Sequence, residues 1–89
     1  MEADQSVIIG VVRDPQGRPV AQARVYFTDG PVPLPEIAAL TDSAGAFSLT
    51  APAPGTYRIE CQVDGFAPAA ITVSVAGGRT IHQELRLQG

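Results

Sequence analysis

The most constraining feature of this 89-residue sequence is a two-residue apolar period with no competing helical one. The period is cleanest from Thr56 to Val63, where Tyr57, Ile59, Cys61 and Val63 alternate with Thr56, Arg58, Glu60 and Gln62. Successive side chains of an extended strand point to opposite faces, so the segment predicts a strand with one buried and one wet face. The nine Gly and eight Pro are scattered rather than clustered, as short strands joined by tight turns require. At 9.3 kDa the chain has room for one small domain. Its 45% hydrophobic content is enough to fold that domain and too high for a disordered segment.

Seven strands follow from the same period: Ser6 to Arg13, Ala23 to Thr28, Ile37 to Thr41, Ala46 to Thr50, Thr56 to Val63, Ala69 to Val75 and Arg79 to Leu87. Between the first two lies the turn-rich corner Asp14-Pro15-Gln16-Gly17-Arg18-Pro19. Asp42-Ser43-Ala44-Gly45 suits a type I turn closed by a glycine at positive φ, a common hairpin connection. Asp64-Gly65 reads as a further turn and Gly77-Gly78 as a hairpin turn. Seven strands at a spacing of about ten residues predict an all-β, antiparallel, Greek-key β-sandwich of two sheets. The domain is expected over residues 6–88, with residues 1–5 a flexible N-terminal segment.

The first strand breaks the pattern. Ile8, Gly10 and Val12 form one face, but Val7, Ile9 and Val11 make the other apolar as well. Such a strand is covered on both sides, by the domain's own loops or end residues or by a second chain or neighbouring domain, or it leaves an exposed patch. Val7, Ile9 and Val11 are therefore candidate partner-binding residues. A second candidate is the segment Asp29-Gly30-Pro31-Val32-Pro33-Leu34-Pro35-Glu36, where proline at alternate positions enforces an extended backbone. Val32 and Leu34 project from this strap, either as a preordered partner-binding ridge or with Leu34 tucked inward over a sandwich edge.

Charge narrows the partners. A net charge of −3 and a pI near 4.8 give no electrostatic grip on nucleic acid or anionic membrane. All six cations are arginines. The acidic start Met1-Glu2-Ala3-Asp4-Gln5 lacks the basic opening of a secretory signal. The apolar run Val7 to Val12 is too short for a signal core or a membrane span, so no membrane insertion is expected.

Material for chemistry is scarce. Cys61 has no partner for a disulfide, and its place in an alternating strand reads as a buried, inert thiol. One His and one Cys do not make a zinc or iron site without converging carboxylates, and no cofactor is implied. His82, Glu84 and Arg86 share a strand face opposite Ile81, Leu85 and Leu87, which reads as a solvated polar face rather than an acid–base pair. Gln83 falls on the apolar side, suggesting a bulge or drift toward an open end. No serine, threonine or cysteine has an identifiable base. Sugar binding needs exposed aromatic platforms, and Tyr26 is the main candidate, with Phe66 second.

Four fragments in order resemble carboxypeptidase regulatory-like domains: Gly10 to Val20 with Ala23-Arg24-Val25, Thr41 to Leu49, Pro54 to Ile59, and Gly65-Phe66. The resemblance spans residues 8 to 87. It implies a transthyretin-like (prealbumin-like) sandwich used as a non-catalytic accessory or protein–protein interaction module. The implied setting is bacterial, in or beside a surface or secreted assembly, and the implied partner is a protein, a neighbouring domain or a second copy. A carbohydrate-binding module is the alternative, and a transthyretin-like hydrolase a more distant one. Hydrolases of that kind use more than one histidine and a C-terminal Tyr-Arg-Gly-Ser segment, whereas this chain has only His82 and ends Leu85-Arg86-Leu87-Gln88-Gly89. Similar surface sandwiches form internal Lys–Asn isopeptide bonds, and this chain contains neither residue. Asp14 and Asp42 are explained without calcium. Their carboxylates bond backbone N–H groups two residues on, and neither turn supplies a second carboxylate.

Overall fold

The structure, a computed structural model, describes residues 5–34 and 38–88. Seven strands follow one another: β1 (Ser6–Arg13), β2 (Arg24–Asp29), β3 (Ala39–Leu40), β4 (Ala46–Ala51), β5 (Gly55–Gln62), β6 (Ala69–Val75) and β7 (Thr80–Arg86). They form a three-stranded sheet in the order β4-β1-β7 and a four-stranded sheet in the order β3-β2-β5-β6. The expected sandwich is present, with β2 beside β5 and β1 between β4 and β7 as the non-consecutive neighbours of a crossed connectivity. One pairing departs from the antiparallel expectation. β1 and β7 run parallel from Val7↔Thr80 to Arg13↔Arg86, as strands joined through several intervening elements are free to do.

The core lies between the sheets. Ile8, Val12, Val25, Tyr57, Ile59, Cys61 and Leu85 are all buried, each the inward member of its strand's alternation, and Leu87, just past β7, is buried with them. Full burial of a large apolar side chain contributes about 1.5–3 kcal/mol. The Tyr57 ring meets Phe27 at a centroid distance of 4.9 Å. Its hydroxyl donates to Ala53 O at 2.6 Å and accepts from Ala53 N at 3.1 Å, tying β5 to the chain leaving β4. Ile71 and Ile81 are only half-buried because β6 and β7 are the outermost strands of their sheets.

The two aspartate turns share one design. Asp14 Oδ1 accepts from Gln16 N and Arg18 N, each at 2.9 Å, and Asp42 Oδ1 accepts from Ala44 N and Ala46 N, each at 2.9 Å. In both, the glycine three residues on donates to the aspartate carbonyl and has positive φ, 87° at Gly17 and 77° at Gly45. The turns thus form as the sequence predicts. What differs is their use, since the strands flanking Asp42–Gly45 enter different sheets.

The same correction applies to Gly77-Gly78. β6 pairs with β5 and β7 with β1, so these glycines form a corner crossing the sandwich rather than a hairpin. Sheets stack about 10 Å apart, a span a two-residue hairpin does not cover. β3 is shorter than expected, and Ile37 lies outside the described residues. Beyond β3, Thr41 still donates its N–H to Ala23 O and accepts from Gln22 N. The β1–β7 register runs unbroken through Gly10↔Gln83, so no bulge forms there. Gln83 sits half-buried on an edge strand, opposite the one β1 position without a side chain. Among the five residues expected to form the N-terminal segment, residues 1–4 lie outside the description, and Gln5 O accepts from Gly78 N at 2.9 Å.

Candidate functional site

The sandwich has two outward faces, and the sheet β4-β1-β7 carries the unusual one. Because β1 is central, its outward side chains Val7, Ile9 and Val11 form a line down the middle of the sheet. On one flank stand Thr50, Ser48 and Ala46 of β4, and on the other Thr80, His82 and Glu84 of β7. Val7 and Val11 are half-buried by these neighbours, while Ile9 remains 37% exposed. Beside Ile9 runs a groove of about 360 Å³ walled by Ile9, Gly10, Val11, Arg13, His82, Gln83 and Glu84. Its walls come from β1 and β7 alone. The apolar line is thus bordered by two hydroxyls and an alanine on one side, and on the other by polar side chains that end at the charge of Glu84.

The charged border is internally paired. Glu84 accepts from Arg86 Nη2 at 3.2 Å and lies 3.9 Å from Arg13 Nε. Arg13 also donates through Nη1 to Gly17 O at 3.0 Å. His82, opposite Ile9, is exposed, and its imidazole makes no hydrogen bond among the described residues. Cys61 is fully buried, and burial pushes its thiol up to about 11, which leaves no thiolate at neutral pH. Among the described residues there is no group of three or more His, Cys, Asp or Glu side chains placed to hold a metal ion.

The remaining candidates lie elsewhere. Leu34 is half-buried and packs against the core, beside Gly30 and Tyr57. A side chain on Gly30 would come within 2.8 Å of Leu34 Cδ1 and 3.0 Å of Tyr57 Cδ2. Pro31 sits over Gly55, whose open position at φ 145° makes room for the ring. The strap is therefore seated on the sandwich, and Val32, 37% exposed, is its outward apolar residue. Pro35 and Glu36 lie outside the described residues. Neither Val32 nor Leu34 lines the groove beside Ile9. Tyr26 and Phe66 are each half-buried, and Tyr26 pairs across β2–β5 with Glu60.

Sequence reasoning missed two buried hydroxyls and a cleft. Thr41 Oγ1 accepts from Ala23 N at 2.9 Å and donates to Val20 O at 2.6 Å. Ser6 Oγ accepts from Arg79 N at 3.1 Å. Both polar side chains occupy inward positions of apolar segments, and that mismatch was the available signal. A polar cleft of about 580 Å³ opens between the Ala21–Gln22 turn and the loop after β5, with Arg24, Gln62, Asp64 and Phe66 among its walls. Gln22 adopts φ 60° there, the one non-glycine residue at positive φ among those described.

With this geometry in view, comparisons place the chain among known proteins. No match is found among curated proteins. Solved structures match the fold. A DUF3823 family protein from Parabacteroides merdae aligns at 21% identity and a TM-score of 0.68, over 96% of this chain and 46% of that one. A streptococcal ancillary pilin aligns at 14% identity and a TM-score of 0.71, over 99% of this chain and 33% of that one. Chlorocatechol 1,2-dioxygenase from Pseudomonas putida aligns at 12% identity and a TM-score of 0.71, over 100% of this chain and 62% of that one. The chain thus spans less than two thirds of each of these proteins, and at such identities the likeness is one of fold. The model of the carboxypeptidase regulatory-like domain matches residues 7–88, which takes in every strand from Val7 onward and both aspartate turns. The chain belongs to the carboxypeptidase regulatory-like domain family.

Proposed function

We propose that the chain is a non-catalytic accessory module that docks a protein partner, or a neighbouring domain of a longer chain, through the outward face of β1. The observation that carries this reading is the line Val7-Ile9-Val11 on the central strand of a three-stranded sheet. The solvent face of a sheet normally alternates to polar residues. Here the central strand keeps β-branched apolar residues where solvent would select threonine or charge, and covering them with protein removes that surface from water. Val32, at the crest of the seated strap, is a second contact, and Leu34 contributes by fixing the strap in place.

Two further points support the reading. Similar sandwiches occur as one part of longer proteins, so a flanking protein surface is the ordinary surrounding of this fold. The presence of one in an ancillary pilin favours a place in a bacterial surface or secreted assembly. The carbohydrate alternative draws less support, because Tyr26 is half-buried beside Glu60 rather than offered as a flat platform.

The test is site-specific photo-crosslinking in the native cell with a photoreactive residue at position 9 and, separately, at position 26. The reading expects a discrete adduct from position 9 that disappears when Val11→Glu is added, with none from position 26. An adduct from position 26 alone, or none from position 9, overturns it.

A further inference from the structure

We propose that β6 is a self-pairing edge through which two copies of this chain join their four-stranded sheets into one. The four outermost strands differ in how they are guarded. An edge strand presents unpaired N–H and C=O groups, and natural proteins blunt it with charge, proline, bulges or brevity. β3 has two residues. β7 carries His82, Glu84 and Arg86. β4 is uncharged, but Pro52 and Pro54 follow it, and its neighbour across the sandwich is β3, entered through the strap with Pro31 and Pro33. β6 carries none of these devices within its seven residues, and a single proline, Pro68, stands before it. Its sequence Ala69-Ala70-Ile71-Thr72-Val73-Ser74-Val75 is uncharged and free of proline. Its register against β5 is regular over seven pairs, from Cys61↔Ala69 to Gly55↔Val75.

The far side of β6 is also open. Among the described residues β6 is hydrogen-bonded to β5 alone; it approaches β7 across the sandwich, and the bridge Ala67↔Gln88 lies before the strand begins. Ile71, an inward residue, stays half-buried on this side. An uncharged edge strand of regular register with a partly open apolar side chain is the pattern that recruits another strand.

Self-complementarity identifies a second copy as the occupant. In antiparallel pairing about a two-fold axis at Thr72, that residue faces its own mate, Ala70 faces Ser74, and Ile71 faces Val73. The outward residues Ala70, Thr72 and Ser74 meet only small or hydroxyl side chains, and no like charges are opposed. Inward residues stay inward, because directly opposed residues share a face. The interface is closed and isologous, so it ends at a dimer. Each copy keeps its β1 face free, and this pairing stands apart from the docking proposed there.

Analytical ultracentrifugation over a concentration series tests the proposal on the wild type, Thr72→Lys, Ser74→Lys and Ile9→Glu. Thr72 and Ser74 are exposed, so either lysine blocks strand addition without touching the core, and circular dichroism checks that each variant folds. The expected result is a wild type that reaches twice 9.3 kDa as concentration rises, as does Ile9→Glu, with both lysine variants remaining at 9.3 kDa. A wild type that stays monomeric throughout overturns the proposal. So do lysine variants that dimerise like wild type, or a dimer abolished by Ile9→Glu alone.

Discussion

Phe47 lies across Gly10 on the β1–β4 ladder, its ring filling the space a side chain on the glycine would take. A Cβ built on Gly10 would stand 2.6 Å from Phe47 Cε2 and closer still to Cζ, with Gln83 O 2.8 Å away. The backbone oxygen cannot rotate aside, so Gly10→Ala forces the ring and the β7 backbone to shift. Overpacking of this kind costs about 1–3 kcal/mol. Chemical denaturation is expected to show that loss for Gly10→Ala. The double variant with Phe47→Leu should lose less than the two single losses combined, because the smaller side chain vacates the contested space.

The two aspartate turns share their hydrogen bonds but not their surroundings. A Cβ on Gly17 would have Arg86 Nη2 at 3.9 Å as its neighbour, whereas one on Gly45 would meet Val12 O at 2.7 Å and Pro19 Cβ at 3.1 Å. Gly17→Ala is expected to lose about 1–2 kcal/mol from the left-handed backbone alone. Gly45→Ala adds a collision with fixed backbone and should lose clearly more. Parallel urea melts of the two variants check the order.

Thr41 is a buried bracket that holds the β1–β2 connection, at Val20 and Ala23, to the end of β3. Thr41→Val keeps the shape and removes the hydroxyl, leaving Ala23 N–H without its partner in a fully buried setting. The expected loss is about 1–3 kcal/mol. Thr41→Ser keeps both hydrogen bonds and sacrifices one methyl group, worth about 0.8 kcal/mol, so thermal melts should rank serine above valine.

Cys61 gives the fold an alkaline weakness. Its thiol ordinarily ionises near 9.0 and is raised to about 11 by desolvation in the folded chain. The folded state therefore holds this proton more tightly than the unfolded state. Its contribution to stability is whole below 9.0 and declines as pH rises toward about 11. Equilibrium unfolding of wild type and Cys61→Ala across this range should show the wild type losing stability more steeply. A thiol reagent at neutral pH should modify Cys61 only after unfolding.

The limits of legibility lie between local pattern and long-range pairing. β5 was readable residue by residue because alternation reports which face a side chain takes. The Asp14 and Asp42 turns were readable because their bonds close within five residues. What alternation does not encode is the identity of the neighbouring strand. Gly77-Gly78 has the composition of a hairpin, and it serves as a corner because β7 is claimed by β1. The same non-local choice made β1–β7 parallel and placed Gln83 opposite Gly10. At the candidate site, the two-faced apolar character of β1 was visible in Val7, Ile9 and Val11, but its central position in the sheet was not. Leu34 shows the converse: a stiff proline segment announces itself, whereas the side of the strap that meets the core depends on Gly30 and Tyr57.

The parallel β1–β7 ladder has a mechanical consequence. β1 begins at the Val7–Thr80 level and β7 finishes at the Arg13–Arg86 level, so the start of β1 and the finish of β7 stand at opposite ends of the ladder. Tension between the ends slides β1 against β7 along their length. All the rungs between them then resist together, instead of opening one after another as they would if the ends left side by side.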